Sequence, residues 1–215
     1  MRIVIDLQGA QTESRFRGIG RYSFELSLAL ARNRKQHEVI IALNGLFSDT
    51  IEPIRAAFDT VLPQENIRVW ECPGPTSYRD PSNSTRRGVA EIIREGFLAS
   101  LNPDIILITS LFEGFGDDAI TSIGKLPLAT APVVTILYDL IPLIRPDSNF
   151  QNNPVYQRYY ADKLSCLKRS SILLSISESA RQEALAALRV EPSTVATISG
   201  ACDCIPDGFP DNQYT

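Results

Sequence analysis

Histidine, methionine and tryptophan each occur once in this 215-residue chain. The lone histidine, His37, stands just ahead of an apolar run, which puts it at the N-terminal edge of a strand. With no second histidine available, Ser–His and Cys–His nucleophile pairs are excluded. Cysteine is sparse as well, at four residues: Cys72, Cys166, Cys202 and Cys204. Cys202 and Cys204 make a C-x-C pair, yet a metal clip needs two further ligands, so ordinary reduced thiols and no metal are expected. No apolar run approaches the roughly 18 residues that cross a bilayer. The N-terminus reads MRIVIDL, and Asp6 interrupts it before a signal-peptide core can form. A cytoplasmic protein is the expectation. Excess positive charge is also missing, with 21 Lys and Arg against 25 Asp and Glu. A nucleic-acid surface would be strongly basic, so no nucleic-acid partner is expected.

What is present is an ordinary globular composition, 44% hydrophobic and 21% charged. The length suits one large domain or two cramped ones. Short β-branched runs recur at 2–7, 38–44, 67–71, 105–109, 133–138, 172–177 and 194–199. Several are apolar throughout, the pattern of strands covered on both faces. Helix-length segments lie between them. One follows Gly20 and aligns Tyr22, Leu26, Ala29 and Leu30; another aligns Val89, Ile92, Ile93, Phe97 and Leu101. Segments 154–169 and 178–188 complete the set, the last opened by Ser177 as N-cap. Alternating strands and helices imply a doubly wound parallel α/β sheet. The polar, Pro-rich segment 73–84 is the longest loop, and after Ser199 the pattern gives way to a Gly-, Pro- and Asp-rich linker.

Ligands of such sheets bind beyond the carboxyl ends of the strands. The first strand leads into QGAQTESRFRGIGRY, where Gly18 and Gly20 open a helix flanked by Arg15, Arg17 and Arg21. That N-terminus offers free N–H groups to an anion; a tight turn accounts for the glycines equally well. A dinucleotide fingerprint fits poorly, because the glycines come well after the strand and position 23 is serine. Beyond 133–138, Asp139 either orients a substrate hydroxyl or caps the next turn. Beyond 105–109, Ser110 and Glu113 are placed to bind hydroxyls, whereas Asp117 and Asp118 read as acids stabilising a helix start. The basic helix around Arg86, Arg87 and Arg94 suits an anionic membrane surface less well than a core-packing role, given Glu91 and Glu95.

Taken in order, the glycine-opened helix, NPDIILITS, VVTILYDLIPL, LLSISESARQEAL and VATISGACD make a recognisable set. The chain resembles the N-terminal domain of family 4 (group 1) retaining glycosyltransferases of the GT-B type, over residues 1–205. Within them it is most similar to bacterial O-antigen and polysaccharide mannosyltransferases. The resemblance implies a Rossmann-like, acceptor-side half whose nucleotide-binding partner domain is absent, with 206–215 starting the linker. On its own such a half is expected to be inactive. The resemblance maps the donor-diphosphate role onto Gly18 and Gly20, with Arg21 beside them as a basic donor-phosphate contact. Ser110 and Glu113, by their place at the cleft, are the expected acceptor contacts. It places Tyr138 and Asp139 at the family's catalytic His–Asp pair, with tyrosine replacing histidine. It implies a nucleotide-sugar donor, GDP-mannose, and no obligatory metal. The implied acceptor is a glycan, lipid-linked, with the enzyme peripheral at the inner face of the plasma membrane. An oxidoreductase dinucleotide domain and a non-catalytic carbohydrate- or partner-binding module remain the alternatives. On the enzyme reading, Gly20→Val should abolish transfer in the complete enzyme while the domain still folds.

Overall fold

The computed structural model describes residues 1–127, 131–151 and 153–198. Every apolar run becomes a strand: β1 (Arg2–Asp6), β2 (Glu38–Asn44), β3 (Ile67–Trp70), β4 (Ile105–Ile108), β5 (Val133–Leu137), β6 (Ile172–Ser175) and β7 (Val195–Thr197). They form one seven-stranded sheet in the order β3-β2-β1-β4-β5-β6-β7, parallel throughout. In β1 the alternation decides which core each side chain joins. Ile5 sits level with Ile41 and Leu107, and all three pack against Leu28, Ala31, Ile54 and Phe58. Those four come from α1 (Gly18–Arg32) and α2 (Ser48–Phe58). Val4 sits level with Ile40 and Ile106 and packs toward the other face. That face is covered by Leu98 of α3 (Ser84–Ser100) and Leu167 of α6 (Pro154–Leu167). Leu188 of α7 (Glu178–Leu188) joins them. Two short helices, α4 (Ile141–Ile144) and α5 (Pro146–Phe150), follow β5. The strand order reverses direction between β1 and β4, so the crevice where ligands bind such sheets opens above those two strands.

Three local readings of the sequence change. In α1 Tyr22, Leu26 and Leu30 pack against the core as expected, but Ala29 faces solvent, and the more deeply buried residues are Ser23, Ser27, Leu28 and Ala31. Small hydroxylated residues let this helix lie close to the sheet: Ser27 Oγ turns back onto the Ser23 carbonyl at 2.7 Å. In α3 only part of the expected stripe faces inward: Leu101 is buried and Phe97 packs on the core. Val89, Ile92 and Ile93 are exposed, while Arg94 and Glu95 are buried. Arg94 is therefore unavailable to a membrane surface. Finally, among the described residues no helix lies between β4 and β5, and Asp117 and Asp118 do not stand at a helix start. Asp117 accepts from the Ala119 N–H at 2.9 Å. Asp118 accepts from the N–H groups of Thr76 and Ser77, at 2.6 and 3.1 Å, and so ties the 73–84 loop to this segment. The helix α2 escapes the periodicity because Pro53 sits inside it.

Polar side chains of α3 hold the helix-free connection in place. Glu95 accepts from Ser122 Oγ at 2.6 Å and from the N–H groups of Lys125 and Leu126, both at 2.7 Å. Arg94 donates from Nη1 to the Ser122 carbonyl at 2.9 Å, and from Nε and Nη2 to Asp6 at the end of β1. The Gln8 amide donates to both Asp6 oxygens at 3.1 Å and to the Ile120 carbonyl at 2.6 Å. Its own oxygen accepts from Asn44 and from the Ile120 N–H. Arg94 and Asp6 are each 1% exposed. Removing one partner of such a pair leaves a buried charge alone. Arg94→Ala should therefore cost about 3–5 kcal/mol in denaturant unfolding. The exposed Arg68→Ala should change stability by no more than about 0.5 kcal/mol.

Candidate functional site

The ends of β1, β4 and β5 meet the start of α1, and most of the expected site residues converge there. The loop between β1 and α1 winds through two short 3-10 turns, the second capped by Thr12, whose side chain accepts from the Ser14 N–H. It then enters α1 at Gly18, where Arg17 provides no side-chain cap. The first N–H groups of α1 are thus left without a capping side chain, beside the exposed Arg17 and Arg21. Free N–H groups and partial positive charge make this an anion-facing helix start.

The two glycines differ. A Cβ on Gly18 would meet nothing within 4 Å. A Cβ on Gly20 would lie 2.2 Å from the Ser14 carbonyl oxygen and 2.4 Å from Arg15 Cα. Gly20 is needed because the loop's own backbone crosses it, and neither glycine has a positive φ. The expectation that Gly20→Val spares folding is therefore corrected. Gly20 and Arg21 also line a cavity of about 350 Å³ between α1 and α2, where Glu25 and Asp49 are present too.

Tyr138 follows β5 and sends its hydroxyl beneath the helix start. That oxygen lies 2.9 Å from Ser23 Oγ, 3.1 Å from the Thr109 carbonyl and 3.2 Å from the Ile19 carbonyl. Burial pushes the phenol far above its ordinary range, with the Ser23 hydrogen bond opposing. The ring meets Tyr22 edge-on at 5.8 Å. Tyr138 is a neutral pillar joining β4, β5 and α1. Asp139, next in sequence, is exposed, and its Oδ1 accepts from the Ile141 N–H at 3.1 Å. One carboxylate oxygen thus caps the turn into α4 on the crevice side of the sheet.

Ser110 and Glu113 are brought together, but both are buried. Glu113 accepts from Ser110 Oγ at 2.8 Å, Thr12 Oγ1 at 3.0 Å and Ser14 Oγ at 3.1 Å. The carboxylate clasps the glycine loop to the β4 loop, and its hydrogen-bonding capacity toward a ligand is largely spent. Burial raises its pKa above the ordinary 4.5, with the three hydroxyls opposing. Sequence reasoning missed the aromatic cluster beside it. Phe112 and Phe115 meet Tyr160 and Tyr156 of α6, each pair at 4.9 Å, and the Tyr159 hydroxyl donates to the Glu113 carbonyl at 3.0 Å. Helical spacing at 156, 159 and 160 was the available signal.

The remaining residues hold no chemistry here. His37 lies at the opposite edge, with Nδ1 3.3 Å from the N-terminal amine. Cys72 and Cys166 are free thiols, and burial, then Glu71 and Asp118, push Cys72 up to about 11. Cys202, Cys204 and the linker at 206–215 lie outside the described residues. Among the described residues, no cluster of His, Cys, Asp or Glu is placed to hold a metal ion. No helix among them is long and apolar enough to cross a membrane.

The fold and the crevice define a class: the Rossmann-like sheet of GT-B glycosyltransferases. The same sheet is found in Glycyrrhiza uralensis UGT73P12 complexed with glycyrrhetinic acid 3-O-monoglucuronide, with a TM-score of 0.54 and 9% identity over 93% of this chain and 48% of that one. It is found again in Arabidopsis thaliana UGT89C1 complexed with UDP, with a TM-score of 0.54 and 10% identity over 95% of this chain and 50% of that one. At these identities the likeness concerns the fold alone. No family model matches the chain. By sequence the chain is a relative of the Escherichia coli serotype-specific mannosyltransferase WbdA, 34% identical over 204 residues. The match covers 94% of this chain and 24% of that protein. A second E. coli protein of the same name is 31% identical over 179 residues, 82% of this chain and 22% of its own length. The chain thus spans about a quarter of the length of these curated relatives. The resemblance to bacterial mannosyltransferases read from the ordered segments is borne out.

Two outcomes test the site's architecture. Gly18→Ala should change the melting free energy by no more than about 0.5 kcal/mol, whereas Gly20→Ala should cost about 1–3 kcal/mol through a clash with backbone. Equal melting curves for the two variants would contradict the geometry. For Glu113, a raised folded pKa means that the stability it adds is fully present below 4.5 and fades as pH rises through the folded value. The difference in unfolding free energy between wild type and Glu113→Gln should therefore move against the wild type as pH rises from about 4 to 7.

Proposed function

We propose that the chain is the acceptor-side domain of a retaining glycosyltransferase. In this reading it transfers mannose from GDP-mannose to a growing polysaccharide or O-antigen glycan. The observation that carries the reading is the 34% identity to WbdA over 94% of the chain. The uncapped start of α1 at the crevice supports it, as an anion-facing element where a diphosphate would arrive. A second Rossmann-like domain closes over this edge and binds the nucleotide. The acceptor is a lipid-linked glycan, and the enzyme works at the inner face of the plasma membrane.

Within this reading each residue has a distinct task. The N–H groups of Gly18 and Gly20 and the guanidinium of Arg21 face the donor diphosphate, and no metal is obligatory because these groups meet the anionic leaving group. Tyr138 sets the height of the helix start through its buried hydroxyl, a positioning role. Asp139 is the exposed carboxylate next to the transferred sugar, where it accepts a hydrogen bond from a sugar hydroxyl. Ser110 and Glu113 hold the loop that forms the acceptor's floor.

The test is Asp139→Ala in the complete enzyme, followed by both melting and turnover with GDP-mannose. If the carboxylate touches substrate, turnover falls at least about a hundredfold, the loss of some 2.7 kcal/mol of transition-state stabilisation. If it only caps the α4 turn, stability falls by about 0.5–2 kcal/mol and the rate stays close to wild type, which would remove Asp139 from the active site.

A further inference from the structure

The helix-free connection between β4 and β5 leaves a cavity of about 470 Å³ on the flank of the sheet, between α3 and α6. That volume falls in the range of small-ligand pockets. Its walls carry four basic side chains, Arg87, Lys125, Lys163 and Arg169, against two acidic ones, Glu91 and Asp162. Lys125 is paired with Glu91 at 3.0 Å. Asp162 takes the Tyr78 hydroxyl on Oδ2 at 2.5 Å, with its Oδ1 making no hydrogen bond among the described residues.

Lys163 and Arg87 are different. Lys163 is 7% exposed, and its ammonium donates only to the carbonyl and hydroxyl of Thr121. An ammonium has three donors, so one is left over. Arg87 stacks its guanidinium 4.1 Å above the Tyr78 ring, and its buried Nη1 has no hydrogen-bond partner. Neither cation forms an ion pair among the described residues. Lys163 is a buried cation with no salt bridge among those residues, its ammonium 5.5 Å from the Tyr159 ring centre, and Arg87 is a half-buried cation with one buried, unpartnered nitrogen. The two lining one cavity point to an anion that supplies the missing partner.

We propose that this cavity binds a small phosphorylated sugar, its phosphate held by Lys163 and Arg87 and its hydroxyls by Asp162, Ser84 and Ser165. The excess of two positive charges on the walls matches a phosphomonoester, which carries close to −2 at neutral pH. The hydroxyl-bearing and carboxylate side chains that share these walls with the cations suit a polyhydroxylated body better than an apolar one. Burial lowers the Lys163 ammonium to about 8, so it is still charged near neutrality and an arriving phosphate strengthens that charge. The cavity is lined by residues of α3, α6 and the β4–β5 connection and by none of Gly18, Gly20, Arg21 or Asp139. The phosphate site stands on its own cations, and only the choice of mannose as the sugar rests on the transferase reading.

The test is calorimetric titration of this chain with mannose 1-phosphate, with free mannose as the control. Saturable one-site binding of the phosphate ester, with none for mannose, is the expected result. Lys163→Met keeps the stem and removes the charge together with the donor to the Thr121 carbonyl; its folding is checked by melting, and it should bind about tenfold or more weakly. Arg87→Gln, at a more exposed position, should also weaken binding and serves if the lysine variant misfolds. Equal affinity in wild type and both variants would overturn the proposal, as would no saturable binding into the millimolar range. A second arm distinguishes the source of the phosphate: sedimentation with phosphatidylglycerol vesicles that depends on Lys163, without mannose 1-phosphate binding, would also overturn it.

Discussion

The buried pair Asp6–Arg94 is the constraint on which the rest of the architecture depends. A parallel sheet collects its loops at one edge, and here the described residues of the connection after β4 form no helix to fix its path. Arg94 reaches across from α3 to the end of β1 and grips the Ser122 carbonyl on the way. Gln8 passes the network on to Asn44, whose N–H and carbonyl are met by Gln11. Such a pair adds little net stability compared with an apolar replacement. Its effect is to fix where the loops lie, because each alternative path would leave a buried charge or amide unpaired.

The sheet was legible because short apolar runs rich in β-branched residues, bounded by turn-forming residues, pack best as buried strands. All seven runs formed strands, and the Ser177 cap of α7 was visible in its sequence, with the Ala180 N–H donating to it at 3.1 Å. The orientation of α3 was not legible. A periodicity argument puts Val89, Ile92 and Ile93 inward, and nothing local shows that Asp6 and Ser122 will be waiting for Arg94 and Glu95. The site was legible in its outline only. Gly20 stood out, but spacing could not tell a ligand's backbone approach from the loop's own, and the structure favours the latter. Ser110 and Glu113 were placed in the right neighbourhood, yet their partners Thr12 and Ser14 are about a hundred positions away in sequence.

The result is a crevice of braced parts. Glu113 ties the β1 loop to the β4 loop, Tyr138 props the start of α1 from below, and Asp139 caps the following turn while remaining exposed. Tyrosine stands here in place of the histidine usual in the resembling family: its phenol lies within hydrogen-bonding reach of Ser23 and two carbonyls, and burial raises its pKa. The start of α1 presents uncapped backbone N–H groups with the exposed Arg17 and Arg21; Glu25 and Asp49 line the cavity beside Arg21, and Asp139 is exposed after β5.

The central claim is that the donor's diphosphate arrives at the start of α1, and hydrogen exchange in the complete enzyme tests it most directly. Adding GDP-mannose should slow exchange at the amides of Gly18 to Arg21 and around Asp139, with the buried amides of β2 unchanged. Protection confined to other loops, with the start of α1 exchanging as in the free enzyme, would contradict the account.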